Sequence, residues 1–210
     1  MGNLRPEIYN NGYIVIGKNS TGMYLYTKYY NTKLEFSNYD RRSSIQSGEE
    51  NATGMAFNIG GDRATVEEND TDYIIYGSNR GEIKLLGNRS TGMYLTGNGR
   101  AFIINENKIT VGNSKDKNDP GIGMYSNNPN DGKIYVGINA IGMAGVKQTT
   151  VENNGEIILE GNDSIGMYLS DGAIGVNNGI IRTENKNYPE RVIGVFVGTG
   201  AVFSNEGKIS

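Results

Sequence analysis

Short runs of alternating apolar residues recur along the chain, each opened by asparagine and glycine. Ile14 and Ile16 flank Val15, Ile83 and Leu85 flank Lys84, and Ile109 and Val111 flank Thr110. Ile134 and Val136 flank Tyr135, and Ile157 and Leu159 flank Ile158. The flanking pair is always apolar while the middle residue varies. Side chains alternate faces along a strand, so this spacing predicts short strands with the flanking pair inward and the middle residue outward. A second run reads the same way. Met23 and Leu25 flank Tyr24, Met93 and Leu95 flank Tyr94, and Met167 and Leu169 flank Tyr168. Methionine and leucine are therefore predicted inside and tyrosine outside. A weaker third strand precedes each Asn-x-Gly, with Ile103, Val151 and Phe203 as its inward residues.

These runs belong to one repeating unit. Its first half, Asn-x-Gly-x-Ile, stands at Asn10–Ile14, Asn79–Ile83, Asn130–Ile134, Asn153–Ile157, Asn177–Ile181 and Asn205–Ile209, with a variant at Asn105–Ile109. Its second half, Gly-Met-Tyr or a relative, begins at Gly22, Gly54, Gly92, Gly123, Gly142 and Gly166, with Gly194-Val195-Phe196 as the last copy. Every methionine except Met1 lies in this motif. From Gly81 onward the first half returns after 26, 25, 23, 24 and 28 residues. A period in this range signals a solenoid or array. Asparagine and glycine at this density break helices, which leaves strands. The expected fold is all-β: a right-handed parallel β-helix of seven to eight coils of roughly 25 residues, about 35 Å long at ~4.8 Å per coil. No coil buries its apolar face alone, so stability comes from stacked neighbours. Glycine before methionine is expected at a sharp turn with positive φ. Corner asparagines are expected to tolerate left-handed backbone or to stack as an amide ladder.

Composition narrows the chemistry. The 210 residues include 31 glycines and 28 asparagines, with no cysteine and no histidine. That removes disulfides, thiolate chemistry and histidine-based triads. A net charge of −3 offers no basic field for nucleic acid. No cofactor or metal site is expected. Gly60-Gly61-Asp62 is only a scrap of a calcium-binding glycine-rich repeat. No apolar stretch is long enough for a membrane-spanning helix. The chain opens Met1-Gly2-Asn3 with no signal peptide and both ends cut a repeat, so it is expected to be a single β-helix segment of a longer protein, monomeric by itself.

Departures from the rhythm at about 26–44, 58–78, 113–121 and 185–191 read as loop insertions, where solenoids often bind. The first holds Tyr26, Tyr29, Tyr30, Tyr39, Arg41 and Arg42, residue types favoured in binding hot spots. Alternatively, Leu34-Glu35-Phe36 is an extra third strand and the aromatics merely cover the rod. The outward column Tyr24, Tyr94, Tyr125, Tyr168 and Phe196 is either a sugar-stacking stripe or ordinary ladder stacking on an exposed sheet. Carboxylates at Glu67, Glu68, Asp70, Asp72 and Glu82 would be the candidates if the chain cleaved a polysaccharide, but no partner can be argued into place, and enzyme activity is not expected. Asn-x-Ser/Thr sequons begin at Asn19, Asn51, Asn69, Asn88 and Asn162.

The repeat resembles the passenger repeats of large type V autotransporter adhesins of fusobacteria. The residues that carry the likeness are Asn11-Gly12-Tyr13-Ile14 followed by Gly17-Lys18-Asn19-Ser20-Thr21-Gly22-Met23-Tyr24, then Gly87–Tyr94 and Gly161–Tyr168. The resemblance covers nearly the whole chain apart from 26–42 and 58–78. It implies a long β-helix on the bacterial surface, anchored by a C-terminal outer-membrane β-barrel absent from this chain. It also implies attachment to host cells or partner bacteria through a protein or glycan. A purely structural stalk displaying a distal tip is the competing expectation.

Overall fold

The computed structural model describes residues 7–27, 34–59, 75–97, 101–125, 128–184 and 189–210. They form a right-handed parallel β-helix in which each coil contributes one strand to each of three parallel sheets. The first coil runs β1 (Glu7–Asn10), β2 (Tyr13–Val15) and β3 (Thr21–Thr27), and the second β4 (Leu34–Asn38), β5 (Ser44–Ser47) and β6 (Thr53–Ile59). The third holds β7 (Ile75–Asn79), β8 (Glu82–Leu85) and β9 (Thr91–Gly97), and the fourth β10 (Ala101–Asn105), β11 (Lys108–Val111) and β12 (Gly121–Tyr125). The fifth holds β13 (Asn128–Asn130), β14 (Lys133–Val136) and β15 (Ala140–Gly145), and the sixth β16 (Thr150–Asn153), β17 (Glu156–Leu159) and β18 (Ile165–Leu169). The seventh holds β19 (Ile174–Asn177), β20 (Ile180–Thr183) and β21 (Ile193–Val197), and β22 (Val202–Asn205) and β23 (Lys208–Ile209) begin an eighth. Sheet A is the eight-stranded stack from β1 to β22, sheet B the eight-stranded stack from β2 to β23, and sheet C the seven-stranded stack from β3 to β21.

The interior is built from columns. Ile45, Ile83, Ile109, Ile134, Ile157 and Ile181 of sheet B are fully buried, as are Met55, Met93, Met124, Met143 and Met167 of sheet C. Ile103 and Val151 of sheet A are buried with them, and Phe203 is packed half-buried against the core. The inward column of sheet A also contains Gly77, paired with both Phe36 and Ile103. The Phe57 ring takes up that vacancy: a Cβ on Gly77 would lie 2.3 Å from its tip. Phe57 also meets Phe36 edge-on, with ring centroids 4.8 Å apart. Leu169 fills the space beside Gly175 in the same way. Close packing is kept by a large residue opposite a small one. Of the outward middle residues, Ile158 is nevertheless buried, at 1% exposure. It lies between Tyr135 and Arg182 in its column but outside the core cluster.

The A-to-B corner explains Asn-x-Gly. Asn10, Asn38, Asn79, Asn105, Asn130, Asn153, Asn177 and Asn205 form one amide ladder, each Nδ2 donating to the next Oδ1 at 2.7–2.9 Å. The six from Asn38 to Asn177 have no exposed surface. The backbone carbonyl of each also accepts corner N–H groups of the following coil; that of Asn130 takes those of Asn154 and Gly155. Glycine follows because the corners nearly touch: a Cβ on Gly155 would lie 2.1 Å from the Gly132 carbonyl oxygen.

One expectation is corrected and one open alternative is decided. Glycine before methionine does not have positive φ. It is required by close approach, because a Cβ on any glycine from Gly22 to Gly166 in this column would lie 2.4–2.8 Å from the next glycine's carbonyl oxygen and from an isoleucine of sheet B. Positive φ falls instead at the B-to-C corner, on Asn19, Asn51, Arg89, Asn139, Asp163 and Arg191, at 51–57°, and at the C-to-A corner on Lys147, Gln148, Asp171, Gly172 and Gly200. Two asparagine roles are thereby separated: ladder members at the A-to-B corner, and Asn19, Asn51 and Asn139 as left-handed residues at the B-to-C corner. Second, the stretch 26–44 contains a regular strand. Leu34–Asn38 pairs with both β1 and β7, so Leu34-Glu35-Phe36 is the third strand of a coil.

Candidate functional site

The predicted site residues fall on two separate surfaces. Tyr26, Tyr94, Tyr125 and Tyr168 lie on the outer face of sheet C. Tyr39, Arg41 and Arg42 lie at the A-to-B corner after β4. Tyr29 and Tyr30 lie outside the described residues, as do Glu67, Glu68, Asp70, Asp72 and Gly60-Gly61-Asp62.

On sheet C the aromatic column is real but interrupted. The register runs Tyr24, Ala56, Tyr94, Tyr125, Ala144, Tyr168, Phe196. Tyr94 stacks on Tyr125 with centroids 5.2 Å apart and planes 26° apart. Tyr168 stacks on Phe196 at 5.0 Å and 5°. The rings stand across the rod axis, stack within pairs and turn their edges to solvent. Ala56 and Ala144 beneath the gaps are buried. Tyr24 and Tyr26 at the first coil are exposed. Partial burial raises the Tyr125 phenol above its ordinary value, with Tyr94 adding to the shift. No strand of sheet C carries a charged residue, from Thr21–Thr27 to Ile193–Val197.

Sheet B and its corner are charged, and several of the charges are paired. Glu82 meets Lys108 at 3.1 Å, Lys133 meets Glu156 at 3.0 Å, and Arg182 meets Glu156 at 2.5 Å. The Lys108 ammonium lies 5.1 Å above the Tyr135 ring. Arg182, then Lys133, hold the Glu156 carboxyl below its usual range despite partial burial. Beside this lattice an open groove of about 460 Å³ runs over Gly132, Gly155 and Gly179, lined by Lys108, Lys133, Glu106, Asp131 and Glu156. Its mixed, paired charges select neither an anion nor a cation. Sequence reading missed this surface. The signal was the residue before each repeat isoleucine, which runs Glu82, Lys108, Lys133, Glu156.

The first coils carry a second aromatic cluster. Tyr39 packs on Tyr9 with centroids 5.0 Å apart, and the Arg80 guanidinium sits 5.6 Å over the Tyr39 ring. Arg80 also pairs with Glu106, whose carboxylate accepts the Tyr76 hydroxyl at 3.2 Å. Desolvation, with Glu35 and Glu7 alongside, pushes the Tyr9 phenol up to about 12. Arg41 and Arg42 are exposed, and the Arg42 N–H donates to Asp40 Oδ1 at 3.0 Å.

Among carboxylates, Glu82 is neutralised by Lys108. Glu160 stands beside Glu184 of the following coil. Partial burial and then the hydrogen-bonded Glu184 carboxyl raise Glu160 above its usual range, with Lys108 opposing weakly. A raised folded-state value stabilises fully below the unfolded value near 4.5, and that stability is lost as pH rises through the folded value. Glu160→Gln is therefore expected to melt higher than the parent at pH 7, with the gap shrinking below pH ~4.5; calorimetry at both pH values checks this. Among the described residues no group of three or more Asp or Glu is placed to hold a metal ion. No helix is long and apolar enough to cross a membrane.

A family model described as the BigA third pectate lyase-like domain matches residues 6–210. Neither a curated protein nor a solved structure matches the chain.

Proposed function

The chain belongs to the family of BigA third pectate lyase-like domains, and from that premise we propose that it is a non-enzymatic adhesive segment of a cell-surface autotransporter passenger. In this reading the parent is held by an outer-membrane β-barrel, and the rod attaches to a host-cell protein or glycan or to partner bacteria. One observation carries the proposal: the outer face of sheet C is uncharged in every strand and bears a column of tyrosine edges along the rod. Surfaces that present tyrosine without charge lose little solvation on contact and are suited to protein and sugar ligands. Elsewhere several charged side chains pair across coils, as Glu82 does with Lys108 and Glu156 with Lys133 and Arg182. A polysaccharide-cleaving reading is less well supported, since Glu82 is committed to Lys108.

The test is binding of the purified chain to intact epithelial cells, immune cells and bacteria, with and without free galactose or N-acetylgalactosamine. Tyr94→Ala with Tyr125→Ala is expected to weaken saturable binding about tenfold or more, while circular dichroism still shows folded β-structure. Competition by sugar identifies a glycan ligand, and indifference to sugar a protein one. If the folded parent chain binds nothing, the adhesive reading fails and the residues are stalk.

A further inference from the structure

Four of the five sequons stand on one edge of the rod. Asn19, Asn51, Asn88 and Asn162 all lie at the corner between sheet B and sheet C; Asn69 is outside the described residues. The corner's own chemistry places them there. It needs a left-handed residue, which is the sequon asparagine itself at Asn19 and Asn51 and the residue after it, Arg89 or Asp163, at Asn88 and Asn162, followed by a small residue folded under the turn. Ser90 and Ser164 fill that second place and are buried. Ser90 Oγ accepts the Ala52 N–H at 3.3 Å, and Ser164 Oγ donates to the Gly161 carbonyl at 2.6 Å.

The carboxamides differ in what remains free. Asn88 Oδ1 accepts the Lys115 N–H at 2.7 Å, and Asn162 Oδ1 accepts the Glu190 N–H at 2.9 Å. In both, the oxygen is bound by the next coil and Nδ2 has no protein partner among the described residues. Asn51 is the reverse, since its Nδ2 donates to Asn19 Oδ1 at 2.8 Å. We propose that this edge is an N-glycan attachment row, with Asn162 and Asn88 as its principal acceptors. The sugar arrives activated by a phosphate or diphosphate leaving group. A bond forms between Nδ2 and its anomeric carbon, the bond from that carbon to the phosphate oxygen breaks, and one amide proton passes to the transferase base. Oδ1 keeps its backbone hydrogen bond, so the corner survives the modification. Substitution at Asn51 would instead interfere with its bond to Asn19. Asn88 and Asn162 are three coils apart, about 14 Å at ~4.8 Å per coil, so two sugars stand clear of each other. Because the Ser90 and Ser164 hydroxyls are buried, a transferase that reads them acts before the corner closes, and the closed corner then accommodates an addition at Asn88 or Asn162 and not at Asn51.

Peptide mass spectrometry of the protein isolated from the cells that make it tests this. Sugar-mass additions are expected on the Asn162 and Asn88 peptides and not on the Asn51 peptide. Ser164→Ala should abolish the Asn162 addition and Ser164→Thr should retain it, a pattern that a purely structural serine does not produce. Unmodified asparagine at both principal sites, or additions confined to other positions, overturns the proposal.

Discussion

Replacing Asn130 with alanine is expected to destabilise the rod by about 3 kcal/mol. The side chain accepts from Asn105 and donates to Asn153 inside a ladder with no exposed surface. Truncation leaves one buried donor and one buried acceptor unpaired, each costing ~1–3 kcal/mol. Asn130→Asp separates the ladder from mere packing. Aspartate has nearly the same shape and still accepts from Asn105. When ionised it has no proton for the Asn153 oxygen 2.7 Å away, and it buries a charge without a cation. Burial raises its folded-state value above the unfolded ~3.9, so stability is recovered below that pH and lost as pH rises through the folded value. The aspartate variant is expected to be the worse of the two at pH 7, and to improve steadily on acidification while the alanine variant does not. Urea melts at pH 7 and pH 3.5, each scaled to the parent chain, decide it. Equal losses for both variants at both pH values would mean the ladder is packing and not hydrogen bonding.

Gly123→Ala carries the second large expected effect, a loss of ~3 kcal/mol or more. The added carbon would meet the Gly142 carbonyl oxygen at 2.5 Å and Ile134 Cγ2 at 2.7 Å. Backbone blocks it on one side and a fully buried isoleucine on the other, so neither neighbour yields without moving a coil. The control is Gly12→Ala, where nothing lies within 4 Å, and the effect is expected to stay within ~0.5 kcal/mol. Comparable losses at the two sites would show that backbone freedom, not close approach, selects glycine in this chain.

The fold was legible in the sequence because each coil repeats its inward positions. Ile83, Ile109, Ile134 and Ile157 stack as their spacing predicted, and the methionine column follows them inward. Coil two was only partly legible, for a physical reason. After Asn38 the corner is lengthened by Tyr39 to Ser43 before Ile45 arrives, so Asn-x-Gly-x-Ile never appears there. Asn38 nevertheless enters the ladder, and Ile45 is fully buried. The glycine before methionine was assigned the wrong cause because the approach of neighbouring coils is invisible in a linear string. The candidate surface was half legible. Outward tyrosines were predictable from alternation, but the gaps at Ala56 and Ala144, and the stacked pairs that follow, depend on cross-coil register. The charged columns of sheet B were hidden for the same reason: Glu82 and Lys108 are 26 residues apart in the chain yet directly paired.

The amide ladder makes each coil an independent event in the lengthening of such a protein. Successive ladder asparagines are separated by as few as 23 and as many as 41 residues, with the same hydrogen bond between them. Whatever the chain does between two asparagines, the next one returns it to the same place on the axis, so an inserted loop shifts nothing downstream. Phase is reset once per turn and errors do not accumulate along the rod. A loop can therefore be lengthened between two ladder asparagines without disturbing the bond between them, as the 41 residues from Asn38 to Asn79 show.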